Sequence, residues 1–208
     1  VEVTLDAIEI ALDKGPNIYR HRIEHNALIR DETLGRYGDV NPVATILGHF
    51  PSCFSVGPTD NYFATPEEFI HWDGRWRELL DTNPDVHFSW HSDTPWFGDP
   101  NPMLHLQGFV TRRQRQEDGT FCEPAPWAAE DLLTVEEALL MMTIEPAYAL
   151  FREEEIGSLK AGKLADLIIL SDNPLEVDPY TLQDIEVLMT MVGGTVEYCL
   201  QGYEDLCP

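Results

Sequence analysis

Val86-His87-Phe88-Ser89-Trp90-His91-Ser92-Asp93 alternates apolar and polar residues, the two-residue period of a β-strand, and places His87, Ser89, His91 and Asp93 on one side. Asn83-Pro84 punctuates the chain just before it, and a helical pattern precedes that break. The helix is expected to start at the capping box Thr65-Pro66-Glu67-Glu68, with Phe69, Trp72, Trp76 and Leu79 down one face. Further upstream, Val43-Ala-Thr-Ile-Leu47 reads as a fully buried strand. Tyr19 to His25 alternates as a strand that sets Tyr19, His21, Ile23 and His25 against Arg20, Arg22 and Glu24. Strands that alternate with helices in this way predict βαβ units and a parallel sheet or barrel, whose functional groups collect at the carboxyl ends of the strands.

Outward from this centre, Val1, Leu5, Ile8 and Leu12 repeat at helical spacing, and Gly15-Pro16-Asn17 ends that helix. The chain opens inside this amphipathic pattern without Met, which leads to the expectation of a fragment of a longer protein. Phe97 to Asp131, rich in Pro and charge, is expected to be an elaborate loop with short helical pieces. A second capping box, Thr134-Val-Glu-Glu137, opens a helix through Met142, and Pro146 interrupts it before Ala147 to Phe151. From Gly157 onward Ala165 to Leu170 reads as a strand, and Val187 to Val192 with Thr195 to Cys199 as a hairpin about Gly193-Gly194. Residues 1–156 are therefore expected to form the α/β part and 157–208 a small β lobe.

The 208 residues carry 13 Lys and Arg against 37 Asp and Glu, a net charge of −24 that repels phosphate backbones and anionic lipids. Neither nucleic acid nor membrane is an expected partner, and no run approaches a membrane span. Only Lys14, Lys160 and Lys163 are lysines, a bias that fits either a high-salt habitat or compositional drift. Cys53, Cys122, Cys199 and Cys207 lack zinc-site spacing and are expected to be free thiols in a reducing, cytoplasmic compartment. Gly157 to Leu164 matches the GxxxxGK pattern, but Leu164 stands where a phosphate loop needs Ser or Thr and a strand follows, so the match is rejected.

A strand-end His such as His25 is more often a satisfied polar residue than a ligand, and Asp93 before Thr94-Pro95 can be a turn residue. Together, on separate parallel strands, they supply the neutral nitrogen and charged oxygen that a hydrolytic metal site uses. His21, His49, His87 and His91 are further imidazoles near this rim, and Trp90, Trp96 and Phe97 could line a pocket there.

Arg20-His-Arg-Ile-Glu-His25, Ser92-Asp-Thr-Pro95, Leu133-Thr134 with Glu137-Ala-Leu139, Pro146-Ala147 and Ile156-Gly-Ser-Leu-Lys-Ala-Gly-Lys-Leu-Ala-Asp166 together resemble the carboxyl half of an amidohydrolase-superfamily protein. The wording of the first motif most resembles amidohydrolase family 3. The resemblance implies the last three or so strands of a (β/α)8 TIM-like barrel, plus part of a small β-sandwich. It implies hydrolysis of an amide-like C–N bond in a small-molecule substrate, assisted by a divalent metal, zinc in the first instance, with one or two ions. By resemblance His25 is the metal-binding His of barrel strand six. Asp93 is the strand-eight Asp, both ligand and general base. By the same resemblance the family's other ligands are expected upstream of Val1, which would leave half a site in this chain, and exposed strand edges would imply a homo-oligomer. The competing expectations are a catalytically silent barrel relative that binds or assembles, and an unrelated doubly wound binding protein.

Overall fold

The computed structural model describes residues 1–47, 71–94, 100–124 and 126–207. Among the described residues it is an α/β structure with two three-stranded sheets. Helix α1 (Glu2–Leu12) buries Leu5 and Ile8 and ends at Asp13 in the left-handed conformation. It leads to β1 (Arg22–Ile23), α2 (Asp31–Leu34), α3 (Arg36–Val40) and β2 (Val43–Leu47), followed by α4 (Trp76–Thr82) and β3 (Phe88–His91).

β1, β2 and β3 are parallel neighbours in that order, with Ile23 opposite Ala44, Ala44 opposite Phe88 and Leu47 opposite His91. All five residues of the central β2 are buried, as a continuous apolar run in a parallel sheet requires. Ile23, Ala44, Ile46 and Phe88 pack against Leu34, Tyr37, Leu79, Leu106, Phe109, Ala138 and Met141 to form the core. Burying a side chain such as Phe109 stabilises the fold by about 1.5–3 kcal/mol.

The expected helix from Thr65 is corrected. Its first residues lie outside the described ones, and among the described residues the helix begins only at Trp76. Asp73 forms an isolated antiparallel bridge with Leu28, and Gly74 has φ +65°. A Cβ on Gly74 would approach Arg112 Nη1 to 2.7 Å, so the chain must turn there. The amino end of α4 is capped from a distance: the Asp131 carboxylate accepts from the Trp76 backbone N–H at 2.7 Å and from that of Arg77. Arg112 holds Asp131 in place at 3.0 Å and lies 3.3 Å above the Trp76 ring.

The long loop expected from Phe97 to Asp131 contains α5 (Pro102–Thr111), capped by Asn101, whose side chain accepts from the Met103 N–H at 3.0 Å. Pro102 in the first turn and Met103, Leu106 and Phe109 on the buried side mark this helix. The capping box at Thr134 forms in both directions, Thr134 N–H to Glu137 at 2.8 Å and Glu137 N–H to Thr134 Oγ1 at 3.2 Å. It opens α6 (Val135–Met142), and a break at Thr143 separates α7 (Ile144–Ala149).

β4 (Leu167–Leu170), β5 (Val187–Val192) and β6 (Thr195–Cys199) form the second, antiparallel sheet. Gly193 and Gly194 turn the hairpin at φ +57° and +83°. The tip is pinned to the preceding motif, because Gly193 N–H donates to Asp166 Oδ1 at 2.6 Å and Gly194 N–H to the Ala165 carbonyl at 3.0 Å. Gly157, at φ +83°, packs where a Cβ would come within 2.7 Å of Ala147 Cβ. Lys163 donates to the carbonyls of Glu153 and Ile156. The Gly157-to-Asp166 motif thus docks the small sheet onto α7, and its lysine is engaged by backbone, not phosphate.

The free-thiol expectation is overturned for the described cysteines: Cys199 and Cys207 form a disulfide with Cα atoms 6.3 Å apart, Cys122 is also disulfide-bonded, and Cys53 lies outside the described residues. The argument for a reducing compartment therefore loses its premise. No helix among the described residues is long and apolar enough to cross a membrane.

Candidate functional site

β1 is only two residues long, and the chain leaves it through two left-handed residues, His25 at φ +68° and Asn26 at φ +49°. A left-handed backbone is uncommon outside glycine, and such residues cluster at functional sites. The turn is held by Asn26, which is 1% exposed. Its amide donates to the carbonyls of Ile23 at 2.6 Å and Thr45 at 3.0 Å, while its Oδ1 accepts from the Tyr37 hydroxyl at 2.5 Å. Burial raises the pKa of that Tyr37 hydroxyl, so it remains a donor. The turn breaks the alternation expected through His25: Ile23 stays in the core beneath the helices, whereas the His25 ring meets the His91 ring edge-on at 4.8 Å.

His91 closes β3, and Asp93 follows at φ +60°. Asp93 Oδ1 lies 3.8 Å from His91 Nδ1. His25 and Asp93 therefore leave separate strands at the same carboxyl end of the sheet, and both approach one imidazole. Burial pushes the His91 pKa down and His25 pushes it further, against weaker upward pulls from Glu24 and Asp93. His91 Nε2 is buried without a hydrogen-bond partner, as is Thr45 Oγ1. Register pairs Thr45 with Ser89 and Leu47 with His91, which puts these four residues on one sheet face.

The other imidazoles separate from this pair. His87, before β3, stacks on Tyr148 at 3.5 Å and contacts Glu145 at 2.7 Å, both at the amino end of the sheet. There Arg20 also bonds Glu153 and covers the Tyr148 ring at 3.6 Å, which holds the Glu153 carboxyl down at about 2. His21, like His87, precedes its strand, and His49, Trp96 and Phe97 lie outside the described residues. Trp90 packs against the core and the His105 ring. An open groove of about 400 Å³ between Arg77, Val86, Glu137 and Met141 contains none of the site residues.

An imidazole and a carboxylate are donors of the kind a catalytic divalent metal takes, with three protein ligands the usual minimum. Among the described residues no group of three or more His, Cys, Asp or Glu is placed to hold an ion. The pair therefore fits as part of a metal site. Sequence reasoning missed Asn26 and Asp131. The first has only a local asparagine after a strand-end His as its signal, and the second has none.

A family model described as Amidohydrolase family matches residues 1–198. N-substituted formamide deformylase of Arthrobacter pascens is 40% identical over 74 residues, 36% of this chain and 14% of its own length. Protein LONG AFTER FAR-RED 3 of Arabidopsis thaliana is 29% identical over 203 residues, 95% of this chain and 32% of its own. Among solved structures, an uncharacterized metal-dependent hydrolase from Pyrococcus horikoshii aligns with a TM-score of 0.64 at 24% identity, over 86% of this chain and 33% of that one. An amidohydrolase from Thermotoga maritima aligns with a TM-score of 0.61 at 18% identity, over 96% of this chain and 42% of that one. The chain thus spans a third or less of the length of these curated relatives.

Proposed function

The chain belongs to the amidohydrolase family, and from that premise we propose that it is the carboxyl-terminal part of a metal-dependent hydrolase of an amide-like C–N bond in a small molecule. Residues 1–156 supply the last strands of its barrel and 157–208 strands of its β-sandwich lobe. The observation that carries this reading is the shared approach of His25 and Asp93, from separate parallel strands, to His91.

His25 and Asp93 would hold a divalent ion, with zinc the best match to an imidazole and a carboxylate. When bound, that ion lowers the pKa of water toward about 7 and polarises a carbonyl. Asp93 does the proton chemistry: as general base its carboxylate takes a proton from the attacking water, then returns it to the departing amine nitrogen. His25 contributes a neutral nitrogen, and its left-handed backbone, locked by Asn26, fixes the direction in which that nitrogen points. The relative named as a formamide deformylase supports a C–N bond as the target.

The test uses the full-length protein carrying this chain. Asp93→Asn keeps one carbonyl oxygen but cannot accept the proton, so turnover of an amide substrate should fall about 10²–10⁴-fold. His25→Ala should instead lower metal content. A full-length protein devoid of metal after growth in zinc-supplemented medium would overturn the proposal in favour of a silent binding relative. Near-normal turnover by Asp93→Asn would remove Asp93 from the mechanism.

A further inference from the structure

His91 is half-buried at the end of β3. Its side chain is 22% exposed, Nε2 is buried with no hydrogen-bond partner, and Nδ1 lies 3.8 Å from Asp93 Oδ1, too long for a hydrogen bond. Buried polar atoms are nearly always satisfied, so an imidazole left this way at the end of a strand calls for an explanation. Packing alone does not provide one, since Leu or Phe at the end of β3 would fill the space without burying an unpartnered nitrogen. What His91 does touch is specific. One ring edge meets His25, and one nitrogen faces Asp93.

We propose that His91 is a positioning residue of the His25–Asp93 site: packed against the His25 ring, its Nδ1–H directs the Asp93 carboxylate. The proposal rests on the function proposed above. Outer partners of this kind orient metal-binding side chains, and losing one commonly costs 10–100-fold in metal affinity. His91 itself is not assigned as a ligand, because it completes no three-donor group among the described residues.

The experiment compares His91→Phe, His91→Asn and His91→Gln in the full-length protein, by zinc titration against a chromophoric chelator alongside thermal melting. Phe keeps the ring volume without nitrogens. Asn places an amide nitrogen near the Nδ1 position, and Gln near Nε2. Zinc affinity should fall about 10–100-fold in the Phe and Gln variants and stay within severalfold of wild type in Asn. The melting midpoint of the Phe variant should remain near wild type. If that variant fails to fold, the Asn and Gln pair still decides: equal affinity in the two overturns the inference. Wild-type affinity in a folded Phe variant also overturns it, reducing His91 to packing. A wild-type protein that takes up no zinc at all defeats the proposed function and this inference with it, an outcome distinct from zinc uptake that ignores His91.

Discussion

Asn26 donates its side-chain amide to the carbonyl of Thr45 at 3.0 Å, joining the residue after His25 to the centre of the neighbouring strand. The same nitrogen also reaches Ile23, and Tyr37 closes the arrangement from the helix side. Asn26→Ala would leave the Tyr37 hydroxyl and the Thr45 carbonyl without this partner in a buried place. Each such orphan costs about 1–3 kcal/mol, with relaxation recovering part of the sum. Denaturant melts should show a loss of about 2–4 kcal/mol, and Tyr37→Phe a smaller one.

Asp73 is half-buried, and desolvation raises its carboxyl to about 6 despite the nearby Arg112. The folded protein therefore binds this proton more tightly than the unfolded chain does. Its contribution to stability is full below about pH 4 and is lost as the pH rises toward 6. From the shift of roughly two pH units, the change is on the order of 3 kcal/mol. Stability curves of wild type minus Asp73→Asn, measured between pH 4 and 7, should fall across that window and be flat above it. A flat difference throughout would show that Asp73 titrates normally.

Gly157 occupies φ +83° with Ala147 at its back. Gly157→Ala brings a methyl to 2.7 Å from Ala147 Cβ and a side chain into a disfavoured backbone region. A destabilisation of more than about 2 kcal/mol is expected, measurable by chemical denaturation, whereas Gly162→Ala, with open space around it, should cost less.

The Cys199–Cys207 disulfide ties the carboxyl-terminal tail to the edge strand β6. Alkylation of the purified protein without reductant should leave both residues unlabelled. With a sequence separation of 8, the bond contributes about 2–3 kcal/mol in the chain-entropy picture. Full labelling of both in folded protein would restore the reducing-compartment reading.

Among the described residues β1 and β3 each pair on one side only. Open parallel edges invite pairing with another chain. The 208-residue chain expressed alone should therefore run as a dimer or larger species in light scattering. A stable monomer would contradict the missing-strand reading of the fold.

The parallel order of the three strands, the hairpin at Gly193-Gly194 and the capping box at Thr134 were all legible in the chain, because each depends on periodicity or on residues within a few positions. The strands expected to run through His25 and to Asp93 stop earlier, at Ile23 and His91, so both residues lie two positions beyond their strands. Other features depended on partners far along the chain. Among the described residues the helix expected from Thr65 begins at Trp76, where Gly74 turns the chain against Arg112 and Asp131, 55 residues on, caps the first amides. His25 turns toward His91, against strand alternation, because Asn26 locks a left-handed backbone to β2. His91 itself differs from His87 only in the end of the strand it occupies, and four residues of extended chain separate a stacked surface imidazole from one that faces both site residues. Local sequence sets which backbone conformations are cheap. Which side chain is buried, and beside what, is decided by contacts between segments that no local pattern records.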